Sequence, residues 1–361
     1  MIYLDYAATT PVDGEVLDAM MPYLKASFGN PDSVHAAGRE AARAVSEARA
    51  WVAQNLGIPP MQVYFTSGGT EADNWAVRYL AEGRAIVSGI EHAAVMEGAK
   101  LREGGYALIP ATHGGIITSE AVENALTPDA GLVCVMAVNN ETGAIQPLDK
   151  ISALCKARGI PLFSDCVQAA YLDLKEITKL CDAISLSAHK IHAPKGTGVL
   201  VVKKGVKLRP MLAGGEQERG LRGGTLNVAG IVGFALALDK MQREREKQLA
   251  HVRALSALFE NKVKEALQDR VRIDGENRLG NISHLTFEGA NESLLARLDL
   301  KGVCASGGAA CSSHSPLPSH VMLAMGRSEE EAKQGVRFSF SRETTEEEVL
   351  QAVQIIKECI L

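Results

Sequence analysis

Between about residue 60 and residue 205, short apolar, β-favouring runs alternate with stretches of helical period, and no other feature constrains the fold of this chain as tightly. Val63-Tyr64-Phe65, Ala85 to Ser88, Leu132 to Val138, Ile160 to Ser164, Ala183 to Leu186 and Val199 to Val202 all have strand character. Leu132 to Val138 is apolar at every position, as expected of a strand covered on both faces. Strand, helix, strand in alternation requires crossover connections, which put helices on both faces of a mostly parallel sheet. At the first turn of this kind a strand ends at Ser67-Gly68-Gly69, and Thr70-Glu71-Ala72-Asp73 has the capping-box pattern that opens an amphipathic helix.

The pattern changes near residue 239. Asp239 to Leu267 is charged and helical in period, which predicts a solvated helix linking two domains. Beyond it, a strand over Ile282 to Phe287 and helices over Ser328 to Gly335 and Thr345 to Glu358 describe a smaller α+β unit; Ser328 followed by Glu331 is a capping-box start. The expected division is a large α/β domain over residues 15–250 and a small domain over 251–361 joined by 1–14. A length of 361 residues agrees, at roughly 150 per domain. Ala305 to Ser319, rich in Gly, Ala, Ser and Pro, reads as a mobile loop. A chain that is 46% hydrophobic and 22% charged can bury large cores. With 38 Lys plus Arg against 43 Asp plus Glu, the net charge of -5 argues against direct nucleic-acid binding along the whole surface. No apolar run is long enough to span a bilayer, so no membrane association is expected. MIYLDYAATT lacks the cationic head and apolar core of a secretory signal, and the 7 scattered Cys fit reduced thiols in a cytoplasmic protein.

Several segments carry chemistry. Thr66-Ser67-Gly68-Gly69-Thr70-Glu71 brings a strand into a Gly pair and then a helix N-terminus, where free backbone N–H groups and the Thr70 hydroxyl suit a phosphate. An ordinary tight turn has the same residues, and neither the Walker pattern nor GxGxxG is present. Asp165 ends a buried strand, at the edge where open α/β sheets bind ligands, although strand-end carboxylates also cap helices. Lys190 follows the next buried strand and precedes a Gly-rich turn; one helix and one strand separate it from Asp165, a length that suits a single crossover. A Lys amine forms imines with carbonyls, and a nearby acid keeps a pyridine nitrogen protonated. An amine, an acid and a phosphate cradle at one edge are what pyridoxal 5'-phosphate requires. His92, after Ala85 to Ser88, suits ring stacking, acid–base work or a structural hydrogen bond. Cys311 lies in the flexible segment with His314 three residues on, the setting of a thiolate nucleophile, whereas Cys134, Cys155, Cys181 and Cys359 sit in strand or helix contexts. Cys304, Cys311, His314 and His320 do not match common zinc spacings, so no metal is expected. Arg337 interrupts the apolar strand Val336 to Phe340; it suits either a bidentate grip on a carboxylate or a surface ion pair.

Taken together, the chain resembles the cysteine desulfurases, class-V aminotransferase-like members of the fold-type I pyridoxal-phosphate enzymes. The blocks that carry the likeness run from Tyr3-Leu4-Asp5-Tyr6-Ala7-Ala8-Thr9-Thr10-Pro11 through Phe28-Gly29-Asn30-Pro31, Thr66 to Glu71, Asn139-Asn140-Glu141-Thr142-Gly143, Ser187-Ala188-His189-Lys190 and Arg219 to Thr225, to Val336-Arg337-Phe338-Ser339. The resemblance implies a mostly parallel seven-stranded sheet in the large domain. It implies that Lys190 holds the cofactor and moves protons, that Asp165 pairs with its ring nitrogen, and that His92 stacks on the ring. Asn140 and Gln168 would lie near the ring oxygen. Gly69, Thr70, Ser187 and His189 would hold the phosphate, with Thr225 reaching it from the partner in a homodimer. Arg337, with Asn30 and Asn140, would grip the carboxylate of L-cysteine. Cys311 would accept the sulfur as a persulfide, release L-alanine and pass the sulfur to an acceptor protein for iron–sulfur cluster assembly or tRNA thiolation. Ser306-Gly307-Gly308-Ala309-Ala310-Cys311 departs from the family's usual Ser-Ser-Gly-Ser-Ala-Cys. The alternatives are a selenocysteine lyase or another β-lyase, and a non-catalytic partner protein of the same fold.

Overall fold

Each apolar run read between residues 60 and 205 contributes a strand to one sheet. The computed structural model describes residues 1–290, 293–308 and 318–361. The strands are β1 (Ile2–Tyr3), β2 (Val63–Thr66), β3 (Arg84–Ser88), β4 (Tyr106–Ile109), β5 (Ala130–Cys134), β6 (Leu162–Asp165), β7 (Ala183–Ser187), β8 (Gly198–Val202), β9 (Val271–Asp274), β10 (Ile282–Phe287), β11 (Val303–Cys304) and β12 (Gly335–Ser339). The central sheet has 7 strands in the order β2-β8-β7-β6-β5-β3-β4. From β7 to β4 every pairing is parallel, whereas β8 runs antiparallel to both β7 and β2. Two reversals restore direction, so β2 points the same way as β6 and β7, and all three end at one edge.

Helices cover both faces, and the core divides accordingly. Val133, Val135, Leu162, Ile184 and Val199 pack on one side of the sheet, and Leu132, Cys134, Phe163, Ala183 and Leu200 on the other, with Trp75 fully buried among them. The alternation along each strand is the period of 2 expected when both faces are buried.

The helix expected over Asp239 to Leu267 is longer, Val228–Leu267. Its start escapes a search for amphipathic period because Val228 to Leu238 has no charged face; that part is packed into the core on nearly every side. Nor is it a solvated link. Its first half joins the sheet's core, while Val252, Leu255, Phe259 and Val263 join a separate cluster with Leu4, Phe287, Phe338 and Phe340. That second cluster, around the three-stranded sheet β12-β10-β9 and the pair β1-β11, supports our proposed division near residue 250. The capping box read from sequence at Ser328 with Glu331 is formed, and the last helix carries a second one, at Thr345 with Glu348. Among the described residues no helix is long and apolar enough to cross a membrane.

Candidate active site

The edge where β2, β6 and β7 end opens into a cavity of about 470 Å³, within the usual range for small-ligand sites. Asp165 is the last residue of β6 and pairs in register with Ser185 of the neighbouring parallel strand β7. A short turn, Ala188–Lys190, follows β7. The sequence argument that Asp165 and Lys190 share an edge if their strands are neighbours therefore holds, and both line this cavity.

Lys190 Nζ donates to the carbonyls of Ala7 (2.6 Å) and Ala8 (2.9 Å), and Gln168 Nε2 donates to Ala7 O at 2.9 Å. The N-terminal segment thus forms one wall, held in place by Thr10 N bonding His189 O at 2.9 Å. Asp165 is 5% exposed and accepts from Val167 N at 2.8 Å. Burial pushes its carboxyl up from the ordinary range, against the opposing pull of His92, the Val167 N–H and Lys190. A cation seated against Asp165 would reverse that balance and leave the carboxylate ionised. His189 is pushed down to about 4 by burial and by Lys190 and Lys195, so its ring is neutral near pH 7; its Nδ1 lies 3.1 Å from Thr9 Oγ1. His92 caps the helix Ala93–Lys100, its Nδ1 accepting from Ala94 N at 3.1 Å, and its ring lines the cavity.

The capping box expected at Thr70 is not formed. The helix begins at Gly69, its N-cap is Gly68, and no side chain caps it. Glu71 instead accepts from Ser67 N at 2.8 Å and forms a two-bond pair with Arg222. The chain turns directly from strand to helix, so the first helical N–H groups face the cavity, with Thr70 in the first turn and lining it. The closeness of this turn demands glycine: a Cβ on Gly198 would lie 2.6 Å from the carbonyl carbon of Gly68, and one on Gly69 would lie 2.9 Å from Val167 Cγ2.

Asn139 bonds the N–H groups of Glu141 and Thr142 at 3.0 and 2.9 Å, and this tight loop turns Asn140 into the cavity. Asn140 Oδ1 is buried and has no hydrogen-bond partner among the described residues. Arg337 is not a surface ion pair: it is 1% exposed. It donates to Asn140 O at 2.9 Å and to Asp5 at 2.8 Å, while its Nε has no partner among the described residues. Ser187 also lines the cavity. Asn30 and Thr225 are exposed and do not line it; Asn30 Oδ1 accepts from Asp32 N at 3.0 Å. Cys311 and His314 lie outside the described residues. The segments on either side of them are anchored beside the cavity. Ser306 exchanges backbone hydrogen bonds with Arg337, Ser319 Oγ donates to Glu141 at 2.5 Å, and His320 Nε2 lies 2.8 Å from Glu91 O.

Sequence reasoning did not single out Asp73 and Glu91, two buried carboxyls that are electrostatically coupled to Asp165. Asp73 accepts from Ser185 Oγ at 2.5 Å, and Glu91 accepts from Ser88 Oγ at 2.5 Å and Met136 N at 2.7 Å. Glu91 had one signal, its position just past the end of β3, whereas Asp73 lies inside the helix Gly69–Tyr79 and had none. Burial pushes Glu91 up to about 8 from 4.5. Because the unfolded chain titrates this group at the lower value, its stabilisation is complete below 4.5 and is lost as pH rises to about 8. Between about pH 5 and pH 8, denaturant unfolding should therefore show wild type losing stability relative to Glu91→Gln by about 1 kcal/mol per pH unit. Parallel pH curves for the two proteins would contradict this.

The arrangement offers an anion cradle, a buried acid and an amine around one cavity, with a guanidinium at its rim. A family model described as aminotransferase class-V matches residues 2–352. Cysteine desulfurase IscS of Dictyoglomus turgidum is 38% identical over 374 residues, covering 99% of this chain and 94% of its own. Among solved structures, a NifS-like protein matches with a TM-score of 0.89 and 33% identity, covering 99% of this chain and 98% of its own. The structure of SspA in complex with cysteine matches with a TM-score of 0.81 and 32% identity, covering 96% and 100%.

Proposed function

We infer, for a chain that belongs to the class-V aminotransferase family and stands among its cysteine desulfurases, that the protein removes sulfur from L-cysteine with the help of pyridoxal 5'-phosphate. The observation that carries this reading is Asp165 and Lys190 on adjacent parallel strand ends, facing one cavity beside a glycine-built helix N-terminus. The residues fit the cofactor. The cradle from Ser67 to Thr70, with Ser187 and His189, offers N–H and hydroxyl donors to a phosphate, and the buried Asp165 awaits a cationic ring nitrogen. The orphaned Asn140 Oδ1 marks a further polar contact.

When bound, the cofactor supplies an electron sink for the bond broken at the substrate's α-carbon. The protein's residues do the rest. Lys190 Nζ carries the cofactor between turnovers and removes the substrate's α-proton. His92, whose ring lines the cavity, would stack on the cofactor ring. Arg337 binds the substrate carboxylate through its unpartnered Nε side, already oriented by Asp5 and Asn140. Cys311 accepts the sulfur: the substrate's carbon–sulfur bond breaks, a sulfur–sulfur bond forms, and the carbon that lost sulfur gains the proton of the Cys311 thiol. One cysteine therefore yields one alanine and one persulfide. The other cysteines support this assignment by their unsuitability. Cys134, Cys155, Cys166, Cys181 and Cys359 are buried, and burial pushes Cys155 and Cys181 up to about 12. The half-buried Cys304 is raised as well, by burial and by Asp299 and Asp5. The solved relative in complex with cysteine supports the choice of substrate. Thr225, exposed and away from its own cavity, suits a contact across a homodimer, and the persulfide would pass to an acceptor protein serving iron–sulfur assembly or tRNA thiolation.

The test is turnover of L-cysteine by the cofactor-loaded protein with a dithiol present to reduce the persulfide to thiol and sulfide, alanine and sulfide being measured together, in wild type and Arg337→Ala. Equal amounts of the two products are expected from wild type, and a KM for cysteine raised about 100-fold in the variant, the loss of a charge-assisted pair. No alanine from wild type would sink the reading; an unchanged KM would remove Arg337 from it.

A further inference from the structure

Lys190, Val167 and Gln168 line a second, much smaller cavity of about 20 Å³. That is room for one water molecule and for no organic ligand. Five separate segments supply its polar lining: Tyr6 and Thr10 near the N-terminus, Gln168 after β6, Lys190 and His192 after β7, Asn281 before β10, and Ser341 after β12. The remaining walls are largely apolar, among them Ala170, Met241 and Phe340. Asn281 is 5% exposed, and its Oδ1 has no hydrogen-bond partner among the described residues. Its backbone is pinned, since Asn281 O accepts from Phe340 N at 2.9 Å. A buried amide oxygen held this firmly beside a polar cavity of molecular size is a site built for a donor.

We propose that this cavity holds one ordered water, which donates to Asn281 Oδ1 and bridges to the amine of Lys190, and that Asn281 is thereby a positioning residue for that amine. The chemistry of Lys190 gives the water its use. The carbonyls of Ala7 and Ala8 only accept, so they suit the protonated amine. A water both donates and accepts. It can take an N–H from the ammonium or offer one to the lone pair of the neutral amine, and so keeps Nζ oriented while its proton comes and goes. No net proton passes through it.

The water itself depends only on the cavity, whereas its effect on turnover rests on the desulfurase reading; the two are tested separately. A crystal structure of the cofactor-loaded wild type should show a single ordered water within hydrogen-bonding distance of Asn281 Oδ1 and Lys190 Nζ. Asn281→Leu should lose that density and lower kcat for cysteine about tenfold with KM unchanged, the cost of one hydrogen bond to a charged group. Asn281→Asp, which keeps an acceptor oxygen in place, should restore most of the rate. A wild-type cavity without that water overturns the site, even if the Leu variant does not fold. An unchanged kcat in Asn281→Leu overturns the positioning role. Loss of cysteine turnover in wild type would instead count against the proposed function and leave the water to be judged by its density.

Discussion

Lys190→Ala should reduce alanine formation from cysteine by a factor on the order of 10⁴ or more while leaving the chain folded. The size follows from the double duty of one nitrogen, which both carries the cofactor and moves the α-proton, so no neighbour can replace half of its work. Folding should survive because the amine lines an open cavity, and water entering the space left by the side chain can take over the hydrogen bonds to the Ala7 and Ala8 carbonyls. Borohydride treatment of the wild type, followed by peptide mapping, should place the cofactor's mass on Lys190; the variant should carry none. Lys195 lines the same cavity and is the natural control. Cofactor trapped on Lys195, or on any lysine of the Lys190→Ala protein, would refute the assignment. Added methylamine should restore part of the rate, since the missing group is an amine and the cavity is open to it.

Cys311→Ser should keep the bound cofactor and its colour, yet lower alanine and persulfide formation by roughly 10³-fold. A thiolate attacks sulfur readily; a serine hydroxyl at neutral pH is neither ionised nor polarisable enough to do so. No other cysteine is placed to rescue the reaction, because five of the six described cysteines are buried and the sixth, Cys304, has its thiol stabilised against ionisation. Intact-mass analysis after brief exposure to cysteine should find one extra sulfur on wild type, mapped to Cys311, and none on the variant. Undiminished alanine release from Cys311→Ser would disprove its role as sulfur acceptor.

Much of the large domain was legible because buried parallel strands leave a strong imprint: continuous apolar runs ending in Gly, Ser or Asp. β4, Tyr106–Ile109, was missed although all 4 of its residues are apolar: the run is short, and it lies at the sheet edge, where Leu108 is exposed and Tyr106 and Ala107 are half-buried. The start of the long helix was missed for the opposite reason, burial on nearly every side erasing the amphipathic period. Thr70 looked like a cap because its spacing to Asp73 fits one, yet Asp73 faces Ser185 across the core.

The candidate site divides along the same line. Local chemistry pointed to the Gly68-Gly69 turn, Asp165 and Lys190, because each stands at the end of a strand, and strand ends are readable from residue type and hydrophobic pattern. Nothing local distinguished a surface Arg337 from a buried one, or showed that Asp5, 332 positions earlier, would orient it. Nor could spacing bring Asn281 and Tyr6 to Lys190. The sequence by itself determined the alternation of elements, the strand-end positions of the acid and the amine, and the glycines of the cradle, since these follow from backbone propensity and burial period over a few residues. Only the tertiary structure decided which strand ends are neighbours, which polar groups lose water, and which distant segments close the cavity. Those are contacts between remote parts of the chain, made by packing whole helices and sheets, and no short-range pattern encodes them.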